Sequence, residues 1–172
     1  MTEILKNNTF TRLLKNYIGS KVIFFHLIQY VTPNGSIESN DVELEFVFEK
    51  DVLLRMTTAS DGERVSISYE PWTDSFKQPI SDENQQFIKD HGKWCLFDVS
   101  NQPPFSKIIG KSIIAFEGLQ NQFGVLSGVA VTCEDMVMCF CVDGDEGKLF
   151  WVKDNPDMIA LGFQLLETQI CR

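Results

Sequence analysis

Hydrophobic and polar residues alternate through much of the chain, and this pattern is typical of β-strands that bury one face. It is clearest in residues 41–48, which read DVELEFVF. The apolar positions there are Val42, Leu44, Phe46 and Phe48, and the acidic positions are Asp41, Glu43 and Glu45. The pattern predicts a strand with one face in a core and a row of carboxylates on the other. The preceding run, KVIFFHLIQYV, is apolar at both alternating positions and predicts a strand buried on both faces.

Helical spacing occurs in three shorter segments. From Thr2 to Ile18 apolar residues recur at helical intervals and Gly19 follows them, which predicts an N-terminal helix. The segment SDENQQFIKDH predicts a second helix, with Ser81 as its N-cap and Gly92 at its end. Residues 155–162 predict a third, since they begin with an asparagine cap and a proline and end in a glycine.

Two long segments follow the same order of strand, tight turn and strand. The first is FEKDVLLRMTTASDGERVSISYEPW, and the second is CEDMVMCFCVDGDEGKLFWVKDNP. The segment YIGSKVIFF precedes the first and matches IIGKSIIAF, which precedes the second, so that Gly19 corresponds to Gly110. Within the long segments, the turn residue Asp61 corresponds to Asp145. The strand-like run KWCLFDV follows the second predicted helix, and FQLLETQIC follows the third. The repeated order predicts a tandem duplication.

The sequence therefore predicts an α+β fold, in which a predominantly antiparallel sheet is built from two tandem-duplicated units of β-meander and short helix, with an N-terminal helix. The first copy spans residues 1–101 and the second spans residues 102–172. The outward positions of the first copy's strands are polar, whereas those of the second copy, such as Cys139 and Phe150, are apolar. We therefore expect the strands of the second copy to be covered on both faces. We expect the two copies to share one core.

Charge and composition limit the partners. The 172 residues carry 15 Lys and Arg against 24 Asp and Glu, a net charge of −9, with no basic cluster. Nucleic acid is not an expected partner, because phosphate binding requires a basic surface, whereas a basic protein is an expected one. No signal segment or membrane-length apolar run occurs, so we expect a cytoplasmic protein with no membrane partner. The 5 cysteines are an odd number without zinc-type spacing and are expected to be reduced and buried.

The sequence contains no set of residues with catalytic spacing. DGDEGK offers Asp143 and Asp145 at the spacing of a calcium loop, but Lys148 stands where the sharp turn needs glycine, so a hairpin turn is the better interpretation. His26 lies mid-strand among apolar residues and His91 lies at a helix end, where each has an ordinary structural role. Motifs of serine hydrolases, phosphate-binding loops and zinc proteases do not occur. We therefore expect no enzyme, no cofactor and no metal site, and a metal-assisted hydrolase using the two aspartates is the weakest alternative.

Acidic residues form the candidate binding surface. The surface combines the strand row with the acids of two turns and a tryptophan as an aromatic anchor, because acidic fields speed encounter with basic partners and aromatic side chains supply contact area. The full set is Asp41, Glu43, Glu45, Asp61, Glu63, Trp72, Asp143, Asp145, Glu146 and Trp151. The alternative is an ordinary solvated face of an acidic protein.

One resemblance points in the same direction. The segments IGKSIIAFEGLQ and DGDEGKLFWV, with a short helix ending in ALGF, resemble small acidic bacterial α+β proteins of unknown function, of the kind found as immunity proteins in polymorphic toxin systems. The resemblance implies a non-enzymatic protein-binding module that inhibits a basic toxin through acidic surface residues. A small-molecule-binding module, with a pocket between the two copies lined by VIFF and CFCV, stays open as the alternative.

Overall fold

Antiparallel strands are the main secondary structure of the described residues. The computed structural model describes residues 2–4, 12–76, 79–151 and 164–165. The strands are β1 (Thr2–Ile4), β2 (Val22–Val31), β3 (Ile37–Phe48), β4 (Leu53–Thr58), β5 (Val65–Ser68), β6 (Lys93–Asp98), β7 (Ile113–Gln120), β8 (Leu126–Cys133), β9 (Met136–Asp143), β10 (Glu146–Trp151) and β11 (Gln164–Leu165). The described residues also include helix α1 (Asp82–His91), the helical residues 12–14 and three short 3₁₀ helices. The predominantly antiparallel, sheet-rich architecture predicted from the alternating pattern is confirmed.

The strands form two sheets. The first has six strands in the order β1-β5-β4-β3-β2-β6, and the second has five in the order β10-β9-β8-β7-β11. All pairings are antiparallel. Five strands of the first sheet, from β5 to β6, therefore have the same order as the five of the second.

A single large core lies between the sheets. Its cluster of buried side chains draws Phe25, Leu44 and Phe46 from the first sheet and Val129 and Phe140 from the second. The four apolar positions predicted for β3 are all buried in it, at 4%, 0%, 0% and 2% relative exposure. The strand alternation thus faces inward as predicted, because period-two spacing puts every second side chain on the same side of the sheet.

The outer face of the second sheet is also apolar. Leu119, Ala130, Cys139 and Cys141 form a second buried cluster there, with Val137 and Phe150 packed against it. The prediction that this sheet is covered on both faces is confirmed for these residues.

Two symmetric sets of backbone hydrogen bonds join the sheets at the start of β2 and β7. The amide of Gly19 donates to the carbonyl of Ile113 (2.8 Å), and the amide of Gly110 donates to the carbonyl of Val22 (2.7 Å). Lys21 and Ser112 form an antiparallel bridge between them. These are the positions that the sequence alignment pairs, so the two halves meet through equivalent residues. The domain boundaries and the duplication itself stay predictions.

A second contact between the sheets depends on the absence of a side chain at Gly147 on β10. Its amide donates to Asp41 Oδ1 on β3 (2.8 Å). A Cβ atom at this position would lie 2.2 Å from the carbonyl oxygen of Val42 and 3.0 Å from the ring of Phe140. Only glycine therefore lets the two strands approach this closely.

The helix prediction is confirmed in the middle of the chain and wrong at its start. Helix α1 has Ser81 as its N-cap, whose Oγ accepts from the amide of Asn84, and Gly92 at its end, with φ of 82°. Thr2–Ile4, predicted as helix, is instead strand β1, because its backbone pairs with β5 at the edge of the first sheet. Residues 5–11 of that predicted helix lie outside the described residues, while residues 12–14 are helical and run into the 3₁₀ helix Lys15–Tyr17. The predicted helix at 155–162 lies outside the described residues, and within them no helix is long and apolar enough to cross a membrane.

We expect Gly147→Ala to lower the free energy of unfolding by about 3 kcal/mol, because the added methyl group meets backbone and a buried ring that have no free space to move into. Urea unfolding followed by circular dichroism measures this. Gly124→Ala is the matched control: its site is open but its φ is +74°, which should cost about 1 kcal/mol. Equal losses in the two variants would contradict the close approach.

Candidate functional site

Two acidic hairpin turns, distant in sequence, lie against each other at one end of the molecule. The turn between β4 and β5 carries Asp61 and Glu63, and the turn between β9 and β10 lies between Asp143 and Glu146. The amide of Asp145 donates to the carbonyl of Gly62 (3.3 Å). We call Asp61, Glu63, Asp143, Asp145 and Glu146 the turn cluster.

Backbone conformation explains why these turns form. In the second turn Gly144 and Asp145 both have left-handed φ, of 61° and 70°, as a two-residue hairpin turn of type I′ requires. In the first turn, Asp61 Oδ1 accepts from the amides of Glu63 (3.1 Å) and Arg64 (3.2 Å). The hydrogen bond from the Glu63 amide is the main reason that the pKa of Asp61 lies below its ordinary value.

The turn cluster is only partly neutralised. Arg64 pairs with Asp61, and Lys148 lies 2.8 Å from Asp143 and 3.7 Å from Glu146. In the described part of the chain no ion pair involves Glu63 or Asp145. Five carboxylates with two cations leave an excess of negative charge at this end.

A row of polar side chains crosses the outer face of the first sheet. Strand register places Asp98 opposite His26, His26 opposite Glu45, and Glu45 opposite Arg55. His26 Nδ1 lies 2.9 Å from Glu45 Oε1. The hydrogen bond between His26 and Glu45 joins β2 to β3, and the opposite charges of Glu45 and Arg55 favour the pairing of β3 with β4.

Glu45 also holds the segment that covers this face. Residues 69–76, which we call the strap, lead from β5 across the sheet. The amide of Trp72 donates to Glu45 Oε2 (2.8 Å), and Asp74 on the strap pairs with Lys93 on β6. Glu45 is consequently only 2% exposed although it is a charged residue. Its two oxygens accept from His26 and from Trp72, which satisfies a carboxylate that would otherwise be costly to bury.

Between the strap, β6 and helix α1 lies a groove of about 370 Å³. Its lining includes five aromatic residues and Glu43. The aromatic residues are Tyr30, Trp72, Phe76, Phe87 and Trp94. Sites that bind small ligands have this size and this mixture of apolar walls with few polar groups.

Glu43 is the electrostatically unusual residue of the groove. Burial raises its pKa above the ordinary value, and the nearby Arg55 guanidinium opposes that shift without cancelling it. Glu43 Oε2 and Arg55 Nε are 3.8 Å apart, and each is a buried atom without a hydrogen-bond partner in the described structure. The pair is therefore close in space but not hydrogen-bonded.

The structure separates the predicted site residues into four places. The five turn acids lie together, and Asp41 adjoins them through its hydrogen bond to Gly147. Glu43 and Trp72 line the groove, whereas Glu45 lies buried beneath the strap. Trp151 was expected on the surface as an anchor, and this is wrong: it is 8% exposed in the core, where its ring packs edge-on against Phe105 at 5.5 Å.

A pocket between the two copies stays a prediction. Val22 and Phe25 from VIFF and Phe140 and Val142 from CFCV are buried members of one core cluster, with 4% exposure or less. The groove described above lies on the outer face of the first sheet. The sequence analysis did not identify four of the aromatic residues that line this groove, which are Tyr30, Phe76, Phe87 and Trp94. The outward position of Tyr30, which pairs with Trp94 in the β2–β6 register, was the feature that could have indicated it.

The positions and pKa shifts of the acidic residues and cysteines bear on metal binding and thiol chemistry. In the described ranges no group of three or more His, Cys, Asp or Glu residues is placed to hold a metal ion. Asp143 is paired with Lys148, and Asp154, the third carboxylate of the calcium pattern, lies outside those ranges. Burial raises the pKa of Cys133 to about 12 and that of Cys139 to about 11, so both stay protonated at neutral pH.

Comparison with protein-family models, with curated proteins and with solved structures found no match.

Replacing Glu45 with alanine should free the strap. The change leaves the Trp72 amide and His26 without their acceptor, and we expect a loss of roughly 1–3 kcal/mol in the free energy of unfolding. Hydrogen exchange at the Trp72 amide should become faster. Glu63→Ala removes an exposed carboxylate and should change stability by no more than about 0.5 kcal/mol. Unchanged protection of the Trp72 amide would show that Glu45 does not hold the strap.

The described cysteines should differ in reactivity. Cys133, Cys139 and Cys141 are buried, whereas Cys95 is half-buried. Because the thiolate is the reactive form and burial raises the pKa of all four thiols, we expect iodoacetamide to modify Cys95 first in the folded protein. Timed labelling with peptide mass spectrometry measures the order, and unfolding in guanidinium should abolish it. Equal labelling rates in the folded state would contradict the described burial.

Proposed function

We propose that the chain is a non-enzymatic binding module that holds a basic protein partner against the turn cluster. The observation that carries the proposal is the contact between the two acidic turns, in which the Asp145 amide donates to the Gly62 carbonyl. This contact gathers five carboxylates from both halves of the chain on a rigid end of the sandwich. A preformed acidic surface attracts a basic partner over a distance and orients it before contact.

The partly neutralised state of the turn cluster supports this role. Glu63 and Asp145 are exposed and can pair with a partner's Lys or Arg without first breaking an internal ion pair. Asp41 extends the acidic surface toward the strap. The resemblance to immunity proteins makes a bacterial toxin with a basic active-site surface the first partner to test.

We infer that the surface arose by tandem duplication. The two halves share a five-strand order, and equivalent residues around Lys21 and Ser112 make equivalent hydrogen bonds. The turns that meet in the cluster, at Asp61 and Asp145, are also equivalent in the sequence alignment. A surface built from both copies does not exist in either copy alone.

Affinity capture from a lysate of the source organism, at low and at high salt, tests the proposal. We expect a basic protein that salt releases, because exposed charge pairs are screened. The double variant Glu63→Gln/Asp145→Asn should bind the captured protein about tenfold more weakly at low salt; asparagine tolerates the left-handed backbone at position 145.

The matched control removes two exposed acids elsewhere, with Glu49→Gln/Asp135→Asn. It has the same net charge as the test variant, so it separates a local effect from a loss of overall charge. Equal weakening in both variants, or binding that ignores both salt and substitution, would contradict the turn cluster as the contact surface.

A further inference from the structure

The groove on the outer face of the first sheet has the composition of a site for an organic cation. We propose that it binds a methylated ammonium group, with Glu43 as counterion and the aromatic side chains as walls. This inference goes beyond the proposed function, because the groove and the turn cluster consist of different residues and are tested separately.

The aromatic walls are positioned by the fold and are not packed into the core. Tyr30 and Trp94 are cross-strand partners with their rings edge-on at 5.9 Å, and the Tyr30 hydroxyl donates to the carbonyl of His91 at the end of α1. Phe76 on the strap and Phe87 on α1 lie 5.9 Å apart. Phe87 is 49% exposed. Partly exposed rings that surround a concave space attract a cation through their negatively charged faces.

The charges that line the groove favour a positive ligand. Glu43 and Asp74 are acidic, and Lys93 is the basic residue among the lining side chains. Lys93 is already paired with Asp74, and the cation nearest to Glu43 in the described ion pairs is Arg55, at 3.8 Å and without a hydrogen bond. A ligand cation near Glu43 would stabilise the negative charge of its carboxylate, which Arg55 stabilises only in part.

The form of the cation follows from the surroundings of the carboxylate. Glu43 Oε2 is inaccessible, and the Thr57 hydroxyl lies beside the same carboxyl group, so little of it is open to an incoming hydrogen-bond donor. The side chain as a whole is 26% exposed and is part of the lining of the groove. A methylated ammonium has no strong donor to satisfy and interacts through charge and ring contact, which fits these walls.

Nuclear magnetic resonance of the three tryptophan indoles provides the test. Choline is the probe, and the neutral isostere dimethylbutanol, in which carbon replaces the charged nitrogen, is its control. We expect choline to shift the indole signals of Trp72 and Trp94 with a dissociation constant of about 1 mM or tighter. The Trp151 signal should not move, because that ring lies in the core.

Glu43→Gln tests the counterion while keeping the shape of the side chain. We expect at least tenfold weaker choline binding and unchanged binding of the neutral isostere. Glu63→Gln removes the same charge from the turn cluster and should leave choline binding intact. Comparing choline with a peptide that carries trimethyl-lysine distinguishes a free ligand from a partner's side chain, since the tighter of the two identifies the source.

Stability separates loss of binding from loss of folding. Because burial raises the pKa of Glu43, its neutral form favours folding, and this contribution is present at low pH and lost as the pH rises through the folded-state pKa. At neutral pH we therefore expect Glu43→Gln to melt at a higher temperature than the natural protein. The variant should lose the ligand without losing the fold.

Choline affinity should also rise with pH as Glu43 ionises, and this dependence should vanish in Glu43→Gln. The other groups that face Glu43 are Asp41 and Glu45 on its own strand, Arg55 and Thr57 on β4, and Asp74 and Lys93 across the groove. They are present in both proteins, so the difference between the two profiles reports Glu43. Equal affinity for choline and the neutral isostere, or no shift of the Trp72 and Trp94 signals at concentrations well above 1 mM, roughly the weakest affinity expected, would overturn the proposal.

Discussion

Burial of both inner sheet faces in one core is the constraint on which the rest of the structure depends. Phe25, Phe46 and Phe140 have no exposed surface, and they come from both sheets. Either sheet alone would leave its inner face in water, and the free-energy cost grows with the apolar area exposed. The turn cluster exists because this packing brings together two turns that are 84 residues apart in the alignment, at Asp61 and Asp145 (145 − 61). The groove depends on the packing less directly, through the sheet on which the strap lies.

Two carboxylates on the same face of β3 show how neighbouring residues acquire different roles. Glu45 accepts two hydrogen bonds and is fully enclosed, so its charge is compensated and contributes to the position of the strap. Glu43 lies two residues earlier, where Arg55 is near but not bonded, and its charge is disfavoured in the folded state. A buried, poorly compensated charge opposes folding, and such charges are concentrated where a protein binds or reacts.

The sequence predicted the features that local pattern determines. The alternation on β3 identified its buried face, and the serine cap and terminal glycine of α1 identified both ends of that helix. Antiparallel meanders followed from the turn signals between strands. In each case the information lies within about ten residues, so no knowledge of distant contacts was needed.

Features that depend on distant contacts were missed. Trp151 ends a strand whose pattern fits either face, and only packing against Phe105 decides that it lies inside. Thr2–Ile4 has helical spacing, but pairing with β5 determines its conformation. The strap has no periodicity, so its course over Glu45 and its part in the groove could not be read from residues 69–76. The meeting of the two acidic turns likewise required the arrangement of the sheets.

The close approach at Gly147 fixes the backbone of the turn cluster but does not restrict the side chains at the tips of its turns. Backbone atoms of β3 and β10 fix the position of the second turn, since any side chain at Gly147 would collide with the Val42 carbonyl. The side chains of Glu63 and Asp145 at the tips of the turns are less constrained, because both residues are exposed and neither forms an ion pair among the described residues. Substitutions can therefore change the charges at this end one residue at a time while the backbone that carries them stays the same. Related chains could in this way come to distinguish different partners while keeping one architecture.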